Sequence, residues 1–103
     1  MWLATCHSDP DAVMEINVRF SRIFDLLEQY GVAIGAPRVS KLQGFANLWE
    51  MRVRHPTGAY RLFFGIKASQ FGVARGAWKN DDRFAPIVYV RANEAVEAYL
   101  ETL

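Results

Sequence analysis

Arginine recurs in the middle of this chain at a spacing that gathers it. Between Trp49 and Arg54 the residues alternate: Trp49, Met51 and Val53 are apolar, while Glu50, Arg52 and Arg54 are charged. In an extended strand that period of two puts both arginines on one face. Arg61 interrupts the otherwise apolar run Tyr60–Ile66. A guanidinium there is costly unless it faces a groove or meets a partner. Its planar, permanently charged fork grips two oxygens of a phosphate, so Arg61 is the leading candidate ligand for one. An ion pair with Glu50 is the structural alternative. Arg52, Arg54, Arg75, Arg83, Lys41 and Lys79 are further cations able to neutralise phosphates such as those of RNA.

Proton carriers are fewer. His55 is a candidate because the imidazole side chain is the usual acid–base group near neutral pH, although a histidine in a turn is more often simply solvated; His7 is a weaker candidate. Tyr60 and Tyr89 carry hydroxyls that can act on a substrate, and rings that can stack on bases or fill the core. Trp78, beside Lys79, is either a stacking platform or a cap on the core.

Charge distribution points the same way. The 103 residues have a net charge of +1, but residues 38–83 hold nine Lys or Arg against three acids. Residues 1–37 are net −3 and residues 84–103 net −2. A basic centre between acidic ends is a footprint for a polyanion. Solvated strand edges guarded by Lys and Arg would leave the same trace.

Positioning these groups requires a sheet. Trp49–Arg54 and Tyr60–Ile66 read as strands joined by His55-Pro56-Thr57-Gly58, where Pro presets φ and Gly tolerates positive φ. A third strand, Phe71–Trp78, follows the turn Lys67–Gln70. On it Phe71, Val73, Arg75 and Ala77 share one face and Gly72, Ala74 and Gly76 the other, which leaves room for a close neighbour, either the N-terminal helix or a ligand; the helix is the favoured reading. Met1–Cys6 is short and apolar and reads as a further strand. Ser8 or Asp9 can cap a helix opened by Pro10 and closed by Gly31. Its stripe is Val13, Ile16, Phe20, Ile23, Phe24, Leu27 and Tyr30. Val39–Gly44 reads as a helical turn or an irregular lead-in. Pro86 can open a last helix with the stripe Val88, Ala92, Ala95, Val96, Tyr99 and Leu103, or Pro86–Val90 can form a short extended piece before it. The expected fold is α+β in one domain over residues 1–103, with one sheet face covered by helix.

Several classes are excluded. No apolar run approaches the roughly 20 residues needed to span a bilayer. Met1–Pro10 lacks a basic start followed by an apolar block, so no secretory leader is expected and the cytoplasm is favoured. Cys6 is the only cysteine, so neither an internal disulfide nor a CxxC metal site can form. Neither a metal nor a cofactor is predicted, and P-loop, GxGxxG, HExxH and GxSxG motifs are absent.

Lys41-Leu42-Gln43-Gly44, Leu48-Trp49-Glu50-Met51-Arg52 and Tyr60-Arg61-Leu62-Phe63-Phe64 occur in that order. The combination resembles the phage-derived, HigB-like branch of the RelE/ParE toxin superfamily. The resemblance implies a RelE-like fold and a toxin of a type II toxin–antitoxin pair. It also implies an antitoxin partner, a helix-turn-helix DNA-binding protein, and metal-independent cleavage of mRNA on the ribosome. Arg61, Lys79, His55 and Tyr89 would then be the catalytic candidates. Arg52, Arg54, Arg75, Arg83, Lys41 and Trp78 would hold RNA. Where the family's third strand usually ends in a His-Gly-Phe-x-Lys-Lys type run, this chain has Arg75-Gly76-Ala77-Trp78-Lys79-Asn80. Arg75 at the histidine position leaves open a non-catalytic or ParE-like toxin that binds gyrase or antitoxin without cutting RNA.

Overall fold

A computed structural model describes residues 9–35, 38–79 and 84–103. Helix α1 runs over Pro10–Tyr30 without a break. Asp9 caps it, its carboxylate accepting from the Asp11 N–H at 3.0 Å, and Gly31 ends it at φ 65°. A non-glycine residue is disfavoured at that positive φ. A 3-10 turn, Gly31–Ile34, leads to four strands: β1 Val39–Lys41, β2 Trp49–His55, β3 Gly58–Lys67 and β4 Gln70–Lys79. Helix α2 follows at Pro86–Leu100, so Pro86–Val90, which could also have been extended, is helical. The strands form one antiparallel sheet in sequence order.

The β2–β3–β4 meander and both helices match the expected α+β order. Val39–Lys41, expected to be helical or irregular, is instead a strand with Val39 opposite Met51. The predicted strand Met1–Cys6 and the alternative cap Ser8 lie outside the described residues.

Each face of the sheet is covered, where one covered face was expected. On the first, α1 seats Ile16, Phe20, Ile23 and Leu27 against Val39, Met51, Val53, Tyr60 and Phe64. Fully burying each such side chain contributes about 1.5–3 kcal/mol. On the second, α2 packs Ala92, Val96 and Leu100 against Phe63 and Leu48. Gly72 and Ala74 of β4 meet this second helix rather than α1, whereas Gly76, across from Leu62, falls on the α1 side. A Cβ at Gly72 would lie 2.8 Å from Leu100 Cδ2, and one at Gly65 2.7 Å from both Leu100 and Val96.

The expected alternation of β4 also fails partway. Phe63 faces Arg75 and Phe64 faces Val73, so an extra residue bulges the strand there. Phe71 and Val73 join the α1 face, whereas Ala74 and Ala77 pack on the α2 side.

Candidate anion-binding site

The α2 side of the sheet carries the cations in rows. Cα partners across an antiparallel ladder share a face. Arg54 therefore aligns with Ala59 and Lys79, Arg52 with Arg61 and Ala77, and Glu50 with Phe63 and Arg75. Three strands thus present basic residues to one side, around a single acid.

That acid is buried. The Glu50 side chain is 2% exposed, and one of its oxygens accepts from Arg52 Nε at 2.7 Å and Nη2 at 2.6 Å. Its other oxygen stands 3.4 Å from Arg61 Nε. Arg52 remains 39% exposed, whereas Arg61 is 8% exposed and lies 5.5 Å from the centre of the Phe84 ring. The Arg61–Glu50 contact anticipated as the structural alternative is therefore present, and Arg61 still lies among its cationic neighbours. Burial lowers the Arg61 pKa; Glu50 opposes the shift, and the Arg52 and Arg54 charges add to it.

Helix α2 contributes Tyr89, whose ring meets Phe63 edge-on at 5.8 Å and Phe84 at 6.4 Å. Burial raises its phenol pKa, Glu50 pushes in the same direction, and Arg61 and Arg52 push back. Tyr89 thus senses the same charges and holds its proton at neutral pH.

Beside the cluster, between β4 and the start of α2, lies an open groove of about 510 Å³. Arg75, Lys79 and Arg91 supply its charge, while Trp78, Phe84 and Ile87 supply its apolar wall.

Other predicted site residues lie elsewhere. His55 belongs to the α1 side, where Nε2 pairs with Glu15 of α1 at 2.7 Å and Nδ1 meets Thr57 Oγ1 at 2.8 Å. Thr57 Oγ1 continues to the Tyr60 hydroxyl at 2.9 Å. Lys41 is paired with Trp49 on the α1 side, and its ammonium donates to the Phe45 carbonyl at 3.2 Å. Trp78 is opposite Tyr60, 6.1 Å between rings, and reaches the groove from the sheet edge. Arg83 and His7 lie outside the described residues.

Sequence reasoning assigned no site role to Phe84 or Arg91, and saw Glu50 only as a rival partner for Arg61. The spacing of Val88 and Arg91, one helical turn apart, was the one available hint that Arg91 faces the groove.

The sequence model of a family described as "Phage derived protein Gp49-like (DUF891)" matches residues 11–83. The chain belongs to this family. The Gp49-like family is a phage-derived, toxin-like family akin to HigB and RelE, and the helix–sheet–helix order of this Gp49-like chain is consistent with a RelE-like fold. The match contains Glu50, Arg52, Arg61 and Lys79, while Phe84, Tyr89 and Arg91 fall beyond it. No curated protein and no solved structure matches the chain significantly. Among the described residues there is no cluster of metal-ligating side chains, and no helix is long and apolar enough to cross a membrane.

Proposed function

We propose that this Gp49-like protein is the toxin of a type II toxin–antitoxin pair, a single cytoplasmic domain of the HigB-like branch that cuts mRNA without a metal. The observation that carries this reading is the convergence of Arg52, Arg54, Arg61 and Lys79, from three strands, on the sheet face that Tyr89 overlooks.

Such a face suits attack by a ribose 2′-OH on the adjacent phosphate. Arg52 and Lys79 engage the phosphate oxygens from solvent. Arg61, behind them, adds fixed positive charge where the pentavalent transition state gains negative charge. As the bond to the 5′-oxygen breaks, the neutral Tyr89 phenol supplies the proton that oxygen needs. The proton of the 2′-OH leaves to water. A cyclic phosphate and a 5′-hydroxyl result. His55, held by Glu15 and Thr57 on the far side of the sheet, takes no part at this cluster in the scheme. mRNA on the ribosome is the substrate. An acidic antitoxin segment laid over the same cations would block it.

One observation favours a second reading, a protein-binding toxin without nuclease activity. Arg61 is nearly enclosed by Glu50 and Phe84, which limits its direct contact with a substrate. Induced expression of wild type, Arg52→Ala and Tyr89→Phe, followed by primer extension on cellular mRNA, separates the two. The nuclease reading expects growth arrest with new RNA 5′ ends for wild type, and loss of both for the variants. Arrest with intact mRNA sinks it.

A further inference from the structure

We infer that Glu50 is a positioning residue, whose carboxylate fixes the Arg52 and Arg61 side chains in the orientation that receives an anion. The inference rests on the phosphate-binding reading of this face and goes beyond it, because it gives a role to Glu50, the acid that β2, β3 and β4 place among these cations.

Burial makes Glu50 unusual. Glutamate is almost never fully buried unless paired. A buried ion pair is a weak source of stability, since apolar residues of similar volume often do as well or better. What the carboxylate does here that an apolar group cannot is geometric. Arg52 approaches it through two nitrogens, Nε and Nη2, which defines the plane of its guanidinium. Arg61 Nε stands 3.4 Å from the other oxygen, a charge contact rather than a hydrogen bond.

The sheet dictates this arrangement. Arg52 lies two residues beyond Glu50 on the same face of β2, and Arg61 lies directly across from Arg52. Two like charges in directly opposed positions repel. One carboxylate beside both relieves that repulsion and leaves the trio with a net positive charge. The rotamer freedom of two long side chains is then lost on folding rather than on binding. Glu50 takes up Nε and Nη2 of Arg52, the Arg52 side chain remains 39% exposed, and Arg54 and Lys79 occupy the next row of the same face.

Charge and position make opposite predictions. Glu50→Gln removes a negative charge from a basic face. If the carboxylate only dilutes the field, a fluorescein-labelled single-stranded RNA binds this variant more tightly. If it positions the arginines, the RNA binds roughly tenfold more weakly despite the added charge. Arg52→Lys, which preserves charge but not the two-point grip, is expected to weaken binding likewise and serves if Glu50→Gln folds poorly. A second readout does not involve RNA. Arginine Nε–Hε resonances of Arg52 and Arg61 should be dispersed and slow to exchange in wild type. They should collapse to the position of solvated arginines in Glu50→Gln, at unchanged far-ultraviolet circular dichroism. Unchanged Nε–Hε signals, or equal or tighter RNA binding by both variants, overturn the proposal. Wild-type protein that binds RNA no better than Arg52→Ala overturns the phosphate-binding reading instead, and the Nε–Hε spectra then decide the positioning role alone.

Discussion

Arg52 and Arg61 oppose each other directly across the β2–β3 ladder, and the carboxylate of Glu50 is the acid that both contact. Without it, two guanidiniums would be crowded together with one of them nearly buried. Glu50→Ala should therefore lower the unfolding free energy by about 3 kcal/mol, the scale seen when one partner of a buried ion pair is removed. Arg61→Ala should cost less, about 1–2 kcal/mol, because Arg52 still satisfies one carboxylate oxygen. Urea denaturation of the two variants tests the ranking. Equal losses would mean that Glu50 depends on Arg61 as much as Arg61 depends on Glu50.

Tyr89 gives the fold a pH dependence with a defined sign. Its pKa in the folded protein is raised, chiefly by burial, above the unfolded tyrosine value of about 10. The folded state thus holds the phenolic proton more tightly than the unfolded state does. The resulting stabilisation is fully present below about pH 10 and is lost as pH rises through the folded pKa. Wild type should lose stability relative to Tyr89→Phe across that alkaline window and show no such relative change between pH 6 and 8. A phenolate absorbance titration locates the shifted group, and a Tyr89 signal titrating at or below the ordinary value would contradict the burial described here.

Much of this was legible in the sequence, and the rest was hidden for identifiable reasons. Trp49–Arg54 could be read because its two faces differ in polarity. The same parity places His55 with Trp49, Met51 and Val53, hence on the α1 side and away from Arg52. Val39–Lys41 was missed because three residues hold too little periodicity to register. The face of Arg75 was misread because a bulge near Ala74 shifts the phase of β4, and no local pattern marks it. Which helix covers Gly72 is a tertiary fact: both helices are amphipathic, and only packing assigns Leu100 to that glycine. Glu50 was underrated because an acid in an alternating strand reads as solvent-facing until the packing of the sheet shows that face to be covered.

That glycine contact can be measured. Gly72→Ala forces a methyl to within 2.8 Å of Leu100 Cδ2, an overpacking expected to cost about 1–3 kcal/mol. Leu100→Ala alone should cost about 2–3 kcal/mol, near the low end for a buried leucine because the site is at the helix end. The double variant should lose less than the sum, since removing Leu100 makes room for the new methyl. Strict additivity in thermal or urea unfolding would place α2 elsewhere on the sheet.

Salt dependence tests which cations form the RNA path. Binding of single strands weakens with salt at a slope of about −0.7 per phosphate neutralised. If Arg52, Arg54 and Lys79 are the contacts, the slope of log affinity against log salt should be about −2, and each alanine substitution should flatten it by about 0.7. Lys41→Ala is the internal control. Its ammonium donates to the Phe45 carbonyl from the α1 side, so the slope should not change. Arg91→Ala distinguishes a path confined to the sheet from one that continues into the groove beside α2, because only the longer path needs that guanidinium. A flattened slope for Lys41→Ala together with an unchanged one for Lys79→Ala would place the RNA on the α1 face and remove the basis for the cluster around Glu50.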